Sequence, residues 1–385
     1  MEKQKILIIL AMIVLINGCT NTDSITNTPS NQNIQKNAQD NPILKNINLP
    51  DNFEIDVFAS DLGKSFNFPG PNKGVRFMKF YKDILFASMP SAGSIVALPD
   101  KNKDGKADEV IKVVDGLNRP HGIAFLDNYM YVANEDSVIK AKIKEDLTAD
   151  ISTKEYITDL PKGGHWTRTI RIKDNNLYIS IGSSCNVCIE DDERRASILK
   201  CNLDFGKCDI YARGIRNAVG FVFHPITNEM YATENSRDWL GDDFPPDEIN
   251  IIKQGEHYGW PFCHGKNMPD PEFGDGNCNS REPSFIDLQA HSAPLGLAFN
   301  FGNNFPEEYK GNLFVAYHGS WNRKVPTGYK IVRIDMATKQ AHDFATGWLQ
   351  GNSVLGRPVD VIFDKEGIMY VSDDNAGVIY RIWYK

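Results

Sequence analysis

The chain has 385 residues, is 41% hydrophobic and 24% charged, and carries a formal net charge of −8. This composition is ordinary for a soluble globular protein. The negative charge argues against a nucleic-acid partner, because phosphate binding needs a basic surface.

The first residues have the pattern of an export signal. Lys3 and Lys5 precede an apolar run from Ile6 to Ile16, which is shorter than the ~20 residues that cross a bilayer as a helix. Asn17-Gly18-Cys19 then resembles the bacterial lipoprotein box, in which the cysteine is acylated and becomes the new N-terminus. The alternative is an ordinary signal peptide with an incidental cysteine. We expect residues 1–18 to be a lipoprotein signal peptide and the mature protein to be periplasmic or at the cell surface, attached to a membrane only through lipidated Cys19.

The next segment predicts a tether. Thr20 to Asn48 contains no aromatic residue and is rich in Asn, Thr, Ser and Gln, so it offers too little apolar surface to offset chain entropy. We expect residues 19–49 to be a disordered tether and residues 50–385 to form one catalytic domain.

One hairpin pattern, two β-prone runs around a polar turn, recurs through this domain. Its copies begin at Gly74, Gly122, Thr169, Gly220, Gly296 and Asp360. Most copies are followed by a further strand, beginning at Ser94, Ser137, Glu248, Tyr329 and Gly377. The repeats predict an all-β fold, a six-bladed β-propeller of four-stranded antiparallel blades. A β-sandwich is the alternative, but sandwiches rarely repeat one hairpin at this period.

An acidic loop lies within the first repeat. Asp100, Asn102 and Asp104 precede Gly105, and Asp108 follows, which fits the first half of an EF-hand-type Ca²⁺ loop. Ile111 stands where that loop would have its bidentate Glu. The segment is therefore either a single-loop calcium site or a charged hairpin turn.

A histidine precedes the third repeat. In GGHWTRTIRI, His165 stands on a glycine-rich approach to the strand, and His is the side chain best suited to take a proton near neutral pH. A lone His is more often structural, so its role depends on what accompanies it.

Six cysteines form three local pairs: Cys185 with Cys188, Cys201 with Cys208, and Cys263 with Cys278. In an oxidising compartment such pairs indicate disulfides. A zinc site would need a second CxxC or suitably spaced His residues. Haem attachment is disfavoured because Ile189, not His, follows the CxxC.

The fourth repeat has cationic and acidic neighbours. Arg213, Arg216 and Asn217 stand just before its first strand, and Arg is suited to stabilising a developing oxyanion. The run from Glu234 to Glu248 is dense in carboxylates and turns, and such hard oxygen donors favour Ca²⁺. A solvated acidic loop is the alternative.

RNAVGFVFHP, DEINIIKQGEHYGWP and AYHGSWNR, in this order, resemble the soluble quinoprotein sugar dehydrogenases that use pyrroloquinoline quinone (PQQ), the glucose and sorbosone dehydrogenase family. The resemblance runs from about Phe53 to the C-terminus and is closest to the L-sorbosone dehydrogenase branch. It implies a PQQ- and Ca²⁺-dependent oxidoreductase that oxidises an aldose or aldehyde sugar and passes electrons to an external acceptor, a quinone or a cytochrome.

The resemblance also implies residue roles. His165 matches the general base, and Arg216 and Asn217 match the Arg-Asn pair beside the quinone. Backbone carbonyls of Ser236 and Arg237 match the loop that holds the cofactor Ca²⁺.

Further positions match metal and cofactor sites of the family. Those of its structural calcium region are Asp247, Glu248 and Tyr258. Those expected to line the PQQ pocket are Arg357, Arg323, His318 and His121.

Two departures put glucose itself in doubt as the substrate. Val359 stands where the glucose enzymes have a second cofactor Arg, and Ser236-Arg237 replaces their Gly-Pro calcium loop. Arg237 is the candidate to replace the missing charge. Two other functions stay open: a Ca²⁺-dependent lactonase propeller, and a non-catalytic binding propeller.

Overall fold

The computed structural model describes residues 41–63, 74–274 and 277–385. The predicted signal peptide, Cys19 and residues 20–40 of the predicted tether lie outside the described residues. Within the described part of the chain, no helix has the length and apolarity needed to span a bilayer.

The domain is a six-bladed β-propeller of four-stranded antiparallel blades, as the repeats predicted. The strands of the first three blades are β2 Met78–Tyr81, β3 Ile84–Met89, β4 Ser94–Leu98 and β5 Ile111–Val114; β6 Ile123–Leu126, β7 Tyr129–Ala133, β8 Ser137–Ile143 and β9 Ala149–Asp159; and β10 Ile170–Lys173, β11 Asn176–Ile181, β12 Ser197–Asn202 and β13 Cys208–Arg213.

The strands of the last three blades are β14 Phe221–Phe223, β15 Met230–Glu234, β16 Asp247–Ile252 and β19 Ile286–Leu288; β20 Pro294–Phe299, β21 Leu313–Tyr317, β22 Lys330–Asp335 and β23 Gln340–Ala345; and β26 Pro358–Phe363, β27 Met369–Asp373, β28 Val378–Tyr384 and β1 Phe53–Ala59. Two short hairpins lie between blade strands: β17 Cys263–His264 with β18 Met268–Pro269, and β24 Leu349–Gln350 with β25 Ser353–Val354.

The ring closes through the last blade. The first strand of the domain, β1, is the outer strand of the blade that also contains the last three strands, and Phe53 pairs with Tyr384. Both ends of the domain are therefore held by one antiparallel ladder.

Side chains of neighbouring blades pack face to face into apolar layers. One layer joins the fifth and sixth blades around Phe314, Trp348 and Tyr380, all less than 1% exposed. The first strand of each blade lies innermost, and neighbouring inner strands contact one another around the axis. The loops that lead into these strands consequently converge at one end of the ring.

The packed domain begins earlier than the predicted boundary at residue 50. Ile43, Leu44, Ile47 and Leu49 pack against the layer of the sixth blade, and Asn48 forms a bridge with Thr346. The segment has too few apolar residues to fold alone, but the propeller supplies the surface that buries them.

All three predicted disulfides are present: Cys185–Cys188, Cys201–Cys208 and Cys263–Cys278. Cys201 and Cys208 are directly opposite each other on β12 and β13. The Cys185–Cys188 bridge instead closes a loop between β11 and β12, next to the site described below.

Candidate active site

A cavity of about 490 Å³ lies at the end of the ring where the loops converge. Its size falls in the range of roughly 300–1,000 Å³ that is usual for small-molecule sites. All six blades contribute to its lining, which includes Arg76, Arg119, His165, Trp166, Arg216, Asn217, Ser236, Asp238, Asp247, His291, His318, Trp321, Asn322 and Arg357.

His165 lies in the loop between β9 and β10, on the wall of this cavity. Its Nδ1 is 3.0 Å from the carbonyl oxygen of Ser183 and 2.9 Å from the Ser183 hydroxyl. A carbonyl oxygen only accepts, so Nδ1 carries the proton and Nε2 keeps its lone pair. Burial, with the positive charge of Arg216, lowers the pKa of His165 to about 3. The ring is therefore neutral and able to accept a proton at Nε2.

A glycine allows two of the predicted catalytic residues to come together. A Cβ atom on Gly182 would lie 2.5 Å from the Cβ atom of His165 and 2.7 Å from Oδ1 of Asn217. These distances are too short for a side chain, so the absence of one at Gly182 lets His165 and Asn217 approach across the strand.

Arg216 is buried, and protein acceptors use all five of its side-chain N–H groups. Nε donates to the Asn186 carbonyl at 2.9 Å, and Nη2 donates to the Asn186 side-chain oxygen at 2.9 Å and to Asp238 at 3.3 Å. Nη1 donates to the carbonyls of Asn235 and Ser236, each at 2.9 Å. The guanidinium consequently acts on the cavity as a fixed positive charge and not as a free hydrogen-bond donor.

Two buried carboxyl groups lie near Arg216. Asp247 accepts from the backbone N–H groups of Ser236 and Ala293, and burial raises its pKa to about 7. Glu234 accepts from the backbone N–H of Arg216 at 2.6 Å. Burial, with repulsion from the neighbouring Glu248, raises the pKa of Glu234 well above its ordinary value.

The opposite wall carries a buried ion network. Asp374 forms an ion pair with Arg76, and it accepts a hydrogen bond from His318 Nε2 at 2.9 Å. Burial lowers the pKa of His318 to about 4, despite the neighbouring carboxylate. The positive charges around Asp374 hold the pKa of that carboxyl below its ordinary value. Asp374 is therefore a carboxylate that orients both cavity-lining side chains.

Two arginines keep N–H groups available to the cavity. Arg357 donates Nε to the His318 carbonyl and one Nη2 hydrogen to the Gly319 carbonyl, while its Nη1 has no partner among the described residues. Arg119 bonds Glu135 through Nη1 and lies with its guanidinium 4.2 Å from the centre of the Trp166 ring. Cationic donors thus stand on two walls, and the Trp166 indole lies against Arg119.

The structure brings seven of the predicted site residues into one cavity: His165, Arg216, Asn217, Ser236, Asp247, His318 and Arg357. Three residues that were expected to bind the cofactor do not line it. His121 is fully buried with its ring 4.2 Å from that of Phe77. Arg237 pairs with Asp270 and Glu272. Arg323 is held by Asp243 and by the carbonyls of Asp242 and Ala290.

The predicted structural calcium residues do not converge on one point. Asp247 and Glu248 are consecutive in β16, so their side chains leave opposite faces of the strand. Glu248 accepts from Gly265 N–H and from the Asn250 amide. The Tyr258 hydroxyl donates to the Ile251 carbonyl at 2.6 Å.

The Asp100 loop lies between β4 and β5, and its acidic side chains bond backbone N–H groups. Asp100 accepts from the N–H groups of Asp104 and Gly105, Asn102 from Asp104, Asp104 from Lys106, and Asp108 from Lys101. These are the hydrogen bonds of a charged turn. A calcium ion here stays a prediction.

The cavity fits PQQ better than it fits the predicted calcium. The three carboxylates of PQQ need cationic donors, which Arg357 and Arg119 supply. Its planar ring system needs a flat surface, which the Trp166 indole supplies. Calcium at the predicted loop would need the Ser236 carbonyl, which already accepts from Arg216. An ion at this oxygen would lie close to the Arg216 guanidinium, and the two positive charges would repel.

Sequence reasoning missed Arg76, Arg119 and Trp166. Arg76 stands shortly before β2 and Arg119 shortly before β6, as His165 and Arg216 stand before the first strands of their blades. That shared position was the signal that could have identified them. Asp374 carried no such signal, because it follows a strand.

The profile of the TrAA12-like family matches residues 82–271 and 246–385. The chain is 36% identical over 366 residues to an uncharacterized protein of Borreliella burgdorferi, covering 89% of this chain and 92% of that protein. It is 31% identical over 307 residues to the pyrroloquinoline quinone-dependent pyranose dehydrogenase of Coprinopsis cinerea, covering 60% of this chain but 41% of that enzyme.

Among solved structures, the holo form of the PQQ domain of the Coprinopsis cinerea pyranose dehydrogenase superposes with a TM-score of 0.72 at 21% identity. The match covers 88% of this chain and 97% of that domain. At this identity the likeness establishes the shared propeller fold.

Proposed function

Because the chain belongs to the TrAA12-like family, we propose that it is a PQQ-dependent oxidoreductase that oxidises an aldose or related aldehyde sugar. The observation that carries the proposal is a neutral histidine on the wall of a cavity that also presents two arginines with available N–H groups. Its Nε2 has no hydrogen-bond partner among the described residues. A proton acceptor beside an anion-binding pocket is the arrangement that a dehydrogenase with an anionic cofactor needs.

The residues divide the chemistry as follows. PQQ, when bound, would supply the acceptor for the hydride, that is, for the electron pair together with its hydrogen. The sugar hydroxyl gives its proton to His165 Nε2 while the carbon–hydrogen bond at the same carbon loses its hydride, and the carbon–oxygen double bond forms. Ser183 keeps the imidazole in the tautomer that can accept this proton. Arg216 keeps a positive charge beside the reacting atoms.

Finer parts of the proposal rest on the resemblance of the sequence motifs. These are a sorbosone-type substrate, Ca²⁺ as second cofactor, an external quinone or cytochrome as electron acceptor, and a lipid anchor at Cys19 of an exported protein. The calcium part carries an electrostatic cost, because an ion at the carbonyl of Ser236 would share that oxygen with the Arg216 guanidinium.

Dye-linked oxidation by the purified protein tests the proposal. We expect glucose, other aldoses or sorbosone to reduce the dye only after PQQ is added, and PQQ binding to be visible by its absorbance. His165→Asn should lower the rate by roughly 10²–10⁴-fold but keep PQQ binding. His342→Asn, an exposed histidine on β23, is the matched control and should retain full activity.

Two results would count against the proposal. Absence of PQQ binding would contradict it and favour a non-catalytic binding propeller. Lactone hydrolysis that needs no PQQ and stops on addition of a chelator would favour the lactonase.

A further inference from the structure

Two large aromatic side chains lie exposed at the rim of the cavity. Trp239 is 66% exposed and Trp321 is 65% exposed, and their rings meet nearly at right angles, 87°, with centres 5.0 Å apart. Trp321 also lines the cavity itself. The pair therefore forms an open corner of two indole faces that continues the wall of the candidate active site to the surface.

The backbone at Trp239 adopts a conformation that a bulky residue rarely takes. Its φ is 75°, in the left-handed region, where a non-glycine residue costs folding free energy. Glycine would relieve this cost, and an exposed indole at this point adds little to the core. Such an outlier next to a site points to a functional reason for the side chain.

The loop that presents Trp239 is held rigidly. The Asn186 side chain accepts from the Asp238 N–H at 2.8 Å and donates to the Asp238 carbonyl at 3.2 Å. Asn186 lies inside the loop closed by the Cys185–Cys188 disulfide. The rim is thereby fixed in place before any ligand arrives, which lowers the entropy cost of binding.

The Asp238 carboxylate links both tryptophan loops to the cavity. Asp238 precedes Trp239 and accepts from the Asn322 amide at 2.8 Å, and Asn322 follows Trp321. The other oxygen of Asp238 accepts from Arg216 at 3.3 Å. The corner is therefore connected through the Asp238 side chain to the Arg216 guanidinium, which lines the cavity.

We propose that Trp239 and Trp321 form a carbohydrate subsite that binds the sugar unit attached to the reacting sugar, so that the substrate class extends to oligosaccharides. This rests on the proposed function, since the reacting sugar is assigned to the cavity. Exposed indole faces pack against the apolar C–H face of a pyranose, whose edge hydroxyls stay in water. The surface of two indole rings is small compared with the roughly 800 Å² that each partner of a stable protein interface buries. The corner therefore suits a sugar better than a protein.

Binding to the apo protein tests the subsite without any oxidation step. Purified protein without PQQ is titrated with maltotriose, cellotriose and xylotriose, and with glucose and xylose, by tryptophan fluorescence and calorimetry. We expect at least one trisaccharide to bind more tightly than its monosaccharide. Trp239→Ala and Trp321→Ala should each weaken that binding by about tenfold, since each removes an apolar contact face.

Three further variants sharpen the test. Trp321→Phe keeps a ring and should recover part of the affinity. Trp239→Gly removes the indole while suiting the positive φ, so it provides a well-folded loss of the subsite. Phe205→Ala removes an aromatic side chain that is 84% exposed in the turn between β12 and β13, and it should change nothing.

The outcomes separate this proposal from the proposed function. Trisaccharide binding that depends on the tryptophans upholds the subsite even when no sugar is oxidised. Oxidation of monosaccharides with no tryptophan-dependent binding of trisaccharides overturns the subsite and leaves the dehydrogenase proposal standing. Tryptophan variants that slow electron transfer to cytochrome c while binding trisaccharides normally would also overturn it, because the corner would then be a docking surface for the acceptor.

Discussion

Asp360→Asn should stabilise the protein at alkaline pH but not at acid pH. Asp360 is fully buried in β26 at the centre of the ring, where it accepts from the Met78 N–H at 2.9 Å and from the Val361 N–H at 3.0 Å. Burial raises its pKa to about 6, against the opposing attraction of Arg171. The ordinary value is 3.8.

The size and sign of the effect follow from this difference. A shift of about two units corresponds to ~3 kcal/mol between the protonation states. Because the pKa is raised in the folded state, Asp360 contributes its full stabilisation of the fold below about pH 4. This stabilisation is lost as pH rises through about 6. Asparagine at this position does not titrate. It has one hydrogen-bond acceptor fewer than the carboxylate, and this loss lowers the free energy of unfolding by about 1 kcal/mol. The variant should therefore be about 2 kcal/mol more stable than the wild type at pH 8 and no more stable at pH 4.

Urea unfolding at pH 4, 6 and 8 measures this difference. Asp204→Asn, which makes the same charge change at an exposed turn, controls for net charge. A stability difference that is independent of pH, or a variant less stable than the wild type at pH 8, would refute the reasoning.

Three further predictions concern the cavity. His165→Asn should lower kcat/KM for sugar oxidation by roughly 10²–10⁴-fold, with PQQ affinity by equilibrium dialysis within a few-fold of wild type; an unchanged rate would remove His165 as the base. Arg216→Ala should raise the affinity for Ca²⁺ in equilibrium dialysis, since it frees the carbonyls of Asn235 and Ser236; weaker calcium binding would show that the guanidinium does not compete there. The Cys185→Ser/Cys188→Ser variant lacks the bridge, and its free energy of unfolding should fall by about 2 kcal/mol at most. Its kcat/KM should fall further than this loss of stability explains, because Asn186 then holds Arg216 and Asp238 less firmly. A variant as active as the wild type would contradict that link.

The repeats made the fold predictable. Each hairpin begins with a short alternating run, and each of the further strands predicted from Ser94, Ser137, Glu248, Tyr329 and Gly377 coincides with a blade strand. Local sequence carries this information because strand periodicity and turn residues are both local. The start of packing at Ile43 was missed, since it depends on a surface that only the closed ring provides.

The site was predictable where it depends on position relative to a repeat. His165, Arg216 and Arg357 each precede an inner strand, and all three reach the cavity. Arg237 was expected to serve the cofactor, but Asp270 neutralises it from a distant part of the chain. Arg323 is likewise held by Asp243. Such pairings join distant segments, so one sequence gives no local sign of them.

The convergence of six loops at the mouth has a consequence for how this protein can change. Each blade places its first cavity residue just before its inner strand, while the apolar layers that hold the blades together lie on the strand faces. A substitution of a lining side chain that has no buried partner in another blade, such as Trp321, can therefore alter one wall of the site and leave the packing of the blades intact. A substitution of Arg76 or His318 would instead also disturb Asp374, which both of them bond.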